Sequence, residues 1–282
     1  MPEILLPDAF QWVRYPWGPA LRCHALDPAA DHCFTTRAPV LGTGPLVPGD
    51  GWHRVALAMG VPAQAVVRMR QVHGTRVVTV RRGAGSPPEA PDSTVGDIAV
   101  SDDPGVVLCV KVADCVPILL ADLRRGAVAA VHAGWRGTAA GASQVAVDAL
   151  AEAFGTAPAD IVAAIGPSIG PCCYRVGQDV RAAFEAAGRW DGVLGAWFSG
   201  APAVEARHGV PGTDPEAAGG GPAQFLDTWL ASADQLRAAG VPDAQILVSR
   251  LCTSCHREIF HSYRVEGPAA GRMVGVIRAR RT

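Results

Sequence analysis

The chain has 282 residues, 49% hydrophobic and 18% charged, enough to bury a large core and far from the composition of a disordered chain. Its formal net charge is -1, and Lys111 is the single lysine among 25 basic residues, with no long basic run; a nucleic-acid backbone and a membrane surface are thereby excluded as expected partners. The N-terminus lacks a basic leader with an apolar core, the most apolar stretch carries Lys111 and Asp114, and eight cysteines fall at irregular spacing, so the expectation is a cytoplasmic protein with reduced thiols.

Residues 1–50 offer two strand candidates, "RCHALD" and "HCFTTR". "GWHRVALAMGV" predicts a short amphipathic helix stopped by Gly60 and Pro62, and "AVVRMRQVHGTRVVTVRR" predicts two strands with His73 and Gly74 at their junction. "GAGSPPEAPDSTVGD" is loop by composition. "GVVLCVKVADCVPILLAD" reads as one long strand, or two meeting near Asp114, with Pro117 predicting a bend just after Cys115.

"GAVAAVHAG" is a continuous apolar run, the pattern of a strand buried on both faces. "TAAGASQVAVDALAEAFG" predicts one helix with Thr138 as N-cap and Gly155 as its stop. "DIVAAIG" reads as a strand, "PSIGPCCYRVG" as a rigid loop and "QDVRAAFEAAG" as a helix ending at Gly188. Residues 191–224 are too rich in glycine, alanine and proline for regular structure and read mostly as loop. "FLDTWLASADQLRAAG" predicts a helix, and "AQILVSR" and "RMVGVIRAR" predict strands. The sum is an α/β (α+β) single domain over residues 1–282, with mixed β-sheets packed between helices and no dinucleotide-binding glycine fingerprint.

Three chemically capable side chains end apolar runs: His73 in "RQVHG", Cys115 in "VADC" and His132 in "VHAGWRG". Two imidazoles and a thiolate suit zinc and leave a fourth position open, as catalytic sites do. They stand 42 and 17 residues apart, so only the fold can assemble them, and spacing equally allows two strand-capping histidines and a buried small thiol. Asp114 is a candidate histidine orienter or acid/base, or a simple turn cap. "GWRG" before a helix, with Arg136, is a candidate anion cradle, and Ser168 and Tyr174 are polar groups in the "GPSIGPCCYRVG" loop. "CTSC" at 252–255 has redox or half-zinc spacing, but no second pair stands at zinc-finger distance in sequence, so its thiols read as buried. His256 and His261 read as packing or surface residues. The absence of any His-x-His pair makes copper the weaker metal.

Taken in order, "RQVHG", "VADCVPILLAD", "AAVHAGWRG", "AIGPSIGPCCYRVG", "CTSC" and "FHSYR…GR" resemble the laccase-domain family over about residues 60–275. That family was formerly called multicopper polyphenol oxidases, is now viewed as purine nucleoside phosphorylases with adenosine deaminase activity, and includes the bacterial peptidoglycan editing factor. The resemblance implies one catalytic zinc on His73, Cys115 and His132, and adenosine, inosine or methylthioadenosine as substrates. It further implies nucleoside and phosphate contacts for Arg37, Gln71, Arg136, Ser168, Tyr174 and Arg264. For deamination it implies a metal-activated water attacking purine C6, with Asp114 nearest for proton transfer; for phosphorolysis, phosphate attacking the anomeric carbon.

Some family positions differ here. "FTTRAPV" keeps Arg37 but lacks the following Gly-Gly-x-Ser, "YRVG" places Arg175 where the family has an acid, and "SYRV" keeps only Arg264 of an arginine pair, with Val265 in the second place. Two rival readings of the same residues are a hydrolase of cell-wall precursors with Cys115 as nucleophile, and a non-enzymatic metal or redox sensor built on "CTSC" and the histidines.

Overall fold

The computed structural model describes residues 4–41, 50–83, 93–203 and 224–280. The strands, in chain order, are β1 (Phe10–Tyr15), β2 (Gly18–Cys23), β3 (Ala30–Thr35), β4 (Val66–Val67), β5 (Val77–Val80), β6 (Ile98–Ser101), β7 (Val107–Val112), β8 (Val116–Asp122), β9 (Val128–Ala133), β10 (Ile161–Ile165), β11 (Arg175–Val176), β12 (Phe198–Ser199), β13 (Gln224–Leu226), β14 (Ile246–Val248) and β15 (Met273–Ala279). The helices are α1 (Gly51–Ala58), α2 (Trp135–Ala139), α3 (Ala142–Phe154), α4 (Gln178–Ala186), α5 (Leu194–Trp197), α6 (Thr228–Ala238) and α7 (Tyr263–Glu266).

Two six-stranded mixed sheets, β1-β2-β3-β15-β7-β4 and β14-β10-β8-β9-β6-β5, form the body, beside a small β11-β13-β12 sheet. Alternation along each strand explains the layering. Leu108 and Val110 of β7 meet Leu119 and Ala121 of β8 in a core between the two large sheets. On the outer face of the second sheet, Ile118, Leu120 and Val131 pack with Ala146, Val147 and Leu150 of α3 and Leu236 of α6. On the outer face of the first sheet, Val107, Cys109 and Val276 pack with Trp52 and Val55 of α1. Helices therefore flank a pair of mixed sheets, as expected. Because β8 and β9 are covered on both faces, all their residues are buried, and the sequence reads as unbroken apolar runs.

Several local expectations are corrected. β1, missed in the sequence, pairs along its whole length with β2, while "RCHALD" ends its strand at Cys23 and turns at His24–Leu26. Pro117 does not bend the chain; it sits inside β8, where its carbonyl accepts from Gly166 just past the end of β10. The turn before β8 is made by Asp114, which has φ 81°. Thr138 is not an N-cap: its hydroxyl donates to the Gly134 carbonyl at 3.1 Å, Gly134 begins the one-turn α2, and Gly141, at φ 85°, separates α2 from α3. Gly155 closes α3 as expected. Within 191–224, α5 and β12 are regular because Trp197 and Phe198 have an apolar cluster to join; the helix expected from Phe225 begins only at Thr228, because Phe225 and Leu226 belong to β13; residues 204–223, and 84–92 of the earlier loop, lie outside the described residues.

Candidate functional site

Sheet register collapses the long sequence separations. β8 and β9 run antiparallel with Val116 opposite Ala133 and Pro117 opposite His132, so Cys115, one residue before β8, meets the end of β9. On the other side β6 pairs with β9 through Ile98 and Val131, and the His132 amide donates to the Asp97 carbonyl at 2.8 Å. His73 comes from the β4–β5 connection, where it holds φ 62°. Both His73 and Asp114 thus occupy a backbone region that costs non-glycine residues roughly 1–3 kcal/mol and that concentrates at functional sites.

The ligating atoms of His73, Cys115 and His132 all lie within 4.8 Å of one another, with the two imidazole rings edge to face at 4.9 Å. Gly134 is required by this closeness: a Cβ there would stand 2.8 Å from His73 Cδ2 and 3.1 Å from Cys115 Sγ. Asp97, which sequence reasoning assigned to a loop, organises the group. Its fully buried carboxylate accepts from His132 Nδ1 at 2.8 Å and from the amides of Val72, His73 and Gly74 at 3.1, 2.9 and 2.9 Å. Burial opposes its charge, yet the His132 and amide donors hold its carboxyl below the usual range. With the Nδ1 proton held there, Nε2 of His132 is the atom left to ligate.

Burial would push the Cys115 thiol up, but the charge of His132 and hydrogen bonds with His132 and His73 outweigh it and bring the thiol down to about 6. Burial likewise opposes the His132 cation, while the Cys115 thiolate and Asp97 raise it to about 9. A thiolate, two imidazoles and a buried carboxylate behind one ring make a donor set that fits zinc. The same grouping excludes a multicopper centre on these residues, because it holds a single ion's worth of donors.

Two cavity lobes meet at this triad, sharing Ala113, Cys115 and Tyr263. One, of about 260 Å³, is walled by Trp135, Ile169, Tyr174 and Arg264 along with Asp114. The other, of about 560 Å³, carries Arg70, Lys111 and Arg272 beside Gln71, His73 and His132. Tyr263, half exposed, and the three cations were not assigned to a site from the sequence; scattered over the chain, they converge only through the first sheet and its loops.

The other expected contacts divide. Tyr174 and Arg264 line the first lobe, the guanidinium lying 5.4 Å above the ring; burial pushes the Tyr174 hydroxyl up. Gln71 lines the second lobe and exchanges hydrogen bonds with the Lys111 backbone at 2.7 and 2.8 Å. Arg136 is exposed, stacked 4.1 Å over Trp135. Ser168 is buried, accepting from Trp229 Nε1 at 2.6 Å, and lines neither lobe. Arg37 grips Glu266 through two bonds of 2.9 and 3.1 Å and the carbonyls of Arg257 and Phe260 at 2.9 and 3.1 Å, outside both linings.

Asp114 and Cys115 do reach the same lobe. The Asp114 carboxylate accepts from Thr253 Oγ1 at 2.5 Å, Ser262 Oγ at 3.1 Å and the Arg264 amide at 2.6 Å. Burial raises its pKa against these donors. His256 and His261 face Glu258 and Glu266 and join no metal-capable group among the described residues.

No helix among the described residues is long and apolar enough to cross a membrane. The chain is 36% identical over 275 residues to a purine nucleoside phosphorylase of Deinococcus radiodurans, covering 93% of each chain. It is 34% identical to adenosine deaminase RL5 of an unknown prokaryotic organism, covering 79% of each. The crystal structure of YlmD from Geobacillus stearothermophilus superposes with a TM-score of 0.72 at 33% identity, over 98% of this chain and 100% of that one. Residues 50–280 match the family described as multi-copper polyphenol oxidoreductase laccase, and with these relatives the chain belongs to that family.

Proposed function

We propose that the protein is a zinc-dependent purine nucleoside phosphorylase that also deaminates adenosine, acting on small-molecule nucleoside and phosphate in the cytoplasm. The observation that carries this reading is the pair of lobes, one aromatic and one cationic, joined at His73, Cys115 and His132. The names of the relatives in Deinococcus radiodurans and of RL5 support it.

His73, Cys115 and His132 would hold the zinc ion, which supplies a Lewis acid at the junction of the lobes. Trp135 and Tyr174 offer apolar faces to a purine, and Arg264 offers donors to its edge or to the ribose. Arg70, Lys111 and Arg272 hold phosphate electrostatically, so that one phosphate oxygen bonds the anomeric carbon as the C–N bond breaks and the base leaves with the electron pair. Asp114 works through its three donors as a positioning residue: it fixes the Arg264 backbone and is itself held by the Thr253 and Ser262 hydroxyls. Arg37, held by four acceptor bonds, belongs to the scaffold rather than to phosphate.

Chromatography of adenosine and inosine reactions tests the reading. Free base and ribose 1-phosphate are expected with phosphate present, and inosine from adenosine without it; no turnover of either nucleoside by zinc-loaded protein overturns it. The Cys115 thiolate beside His132 favours one rival, a Cys/His hydrolase of cell-wall precursors. Zinc in the active protein that is lost in Cys115→Ser excludes that rival, whereas active protein with no zinc at the triad that is inactivated by Cys115 alkylation establishes it.

A further inference from the structure

A second group of soft ligands lies apart from the triad. Cys172 and Cys173, in the loop after β10, meet Cys252 and Cys255, in the turn after β14, with all four sulfur atoms within 4.8 Å of one another. Cys255 Sγ stands 3.5 Å from both Cys172 Sγ and Cys173 Sγ. Four thiolates around a tetrahedral zinc at about 2.3 Å have their sulfurs about 3.8 Å apart, so the cluster already has the dimensions of that shell. "CTSC" lacked a second pair in the sequence; the fold supplies it from the adjacent cysteines 80 and 79 residues upstream of Cys252.

The surroundings are those of a closed structural site. Cys252 and Cys255 are buried, Cys172 and Cys173 half-buried, and Ile169, Tyr174 and Trp229 pack around the sulfurs. The Gly170 amide donates to Cys252 Sγ at 3.3 Å, a bond that favours the charged, metal-binding form of the sulfur. The four residues come from two segments that otherwise touch through a few backbone bonds: Ser168 N to Leu251 O at 3.2 Å and Thr253 N to Ser168 O at 3.1 Å. One segment carries Tyr174 and the other Thr253, which donates to Asp114.

We propose that Cys172, Cys173, Cys252 and Cys255 form a closed tetrathiolate site for a zinc ion, separate from the His73–Cys115–His132 site, which fastens the Tyr174 loop to the turn carrying Thr253. All four positions of the ion are taken by protein, so the site is structural and has no room for substrate. Binding releases the remaining thiol protons to solvent and involves no oxidant.

Metal content per chain tests this without reference to catalysis. The full chain, purified under reducing conditions with zinc supplied, is expected to hold two zinc ions by elemental analysis and native mass spectrometry. Cys115→Ser is expected to retain one, and Cys252→Ser to retain one with a lowered Tm. Cobalt(II) loaded into Cys115→Ser is expected to show the intense visible absorption and thiolate charge-transfer band of a tetrahedral sulfur site. Should Cys252→Ser fail to fold, stepwise mercurial titration of the unmodified chain decides, with zinc release tracking modification of these four thiols as identified by peptide mapping. A zinc-free Cys115→Ser, ready alkylation of all four cysteines in the native chain without metal loss, or a disulfide among them in the reduced preparation overturns the proposal. A chain with zinc on the four cysteines but no nucleoside turnover leaves it standing while the proposed function fails.

Discussion

Asp97 Oδ1 lies 2.8 Å from His132 Nδ1, with both side chains buried, and the same carboxylate accepts three consecutive backbone amides from Val72 to Gly74. One side chain therefore orients a ligand on β9 and shapes the turn that presents the other histidine. Asp97→Asn keeps the size but turns an amide N–H toward donors. The expected result is about 10–100-fold weaker zinc binding at the triad, read by competition with a chelator. Unchanged affinity removes Asp97 from the positioning role.

Gly134→Ala puts a methyl 2.8 Å from His73 Cδ2, closer than a relaxed Cβ comes, and in a tight contact of 3.1 Å with Cys115 Sγ. The helices and sheets are expected to persist by circular dichroism, because Gly134 has ordinary extended geometry with φ -72°. Zinc affinity at the triad is expected to fall at least ~10-fold, since the ligand pair must separate. Full zinc affinity in a folded variant contradicts the close approach.

Lys111 is the chain's single lysine and lines the cationic lobe. Lys111→Met keeps the aliphatic stem and removes the charge. A charge-assisted contact of about 1.5–3 kcal/mol corresponds to a phosphate KM raised by roughly 10- to 100-fold, with the nucleoside KM little changed. A rise confined to the nucleoside KM places phosphate elsewhere.

Arg37→Ala separates scaffold from substrate contact. Losing the Glu266 pair, whose side chains are 39% and 21% exposed, is expected to cost about 1 kcal/mol of stability in urea unfolding with phosphate KM unchanged. A phosphate KM raised tenfold at unchanged stability returns Arg37 to the anion site.

His32 supplies a pH dependence outside the metal site. It is buried, its Nε2 accepts from the Cys23 amide at 3.0 Å, and burial holds its pKa down at about 4 despite Asp27 nearby. The unfolded chain protonates this ring below about pH 6.5, whereas the folded chain does so only near pH 4. The unfolded state therefore binds more protons in that window, and stability rises with pH across it. Acidification from 6.5 to 4 is expected to remove about 3 kcal/mol. Urea unfolding at pH 7 and pH 5 checks this against His32→Gln, whose profile is expected to be flatter; identical profiles refute it.

The parts of this protein set by short-range pattern were legible in its sequence. Alternation and unbroken apolar runs marked β8, β9, β10 and β15, helical periodicity marked α1, α3, α4 and α6, and Gly155 marked a helix stop. The triad residues stood out because a histidine or cysteine closing an apolar run is chemically conspicuous. Errors fell where a local rule met a tertiary alternative. Pro117 is tolerated inside β8 where pairing with β10 ends, Thr138 bonds backward to Gly134 rather than capping, and α5 forms because an apolar cluster receives Trp197.

What only the tertiary structure decided was convergence. Asp97 looked like the end of a polar loop, and only the pairing of β6 with β9 turns its carboxylate toward His132. Arg70, Lys111 and Arg272 belong to separate segments, and their common field exists only once the first sheet and its loops are assembled. Cys172 and Cys173 stand 80 and 79 residues from Cys252, a separation that no local motif spans, yet the loops after β10 and β14 bring the sulfurs together because those strands are parallel neighbours. Propensity and periodicity act over a few residues and are written in the chain, whereas a site built across strands depends on register, which a one-residue slip would reverse.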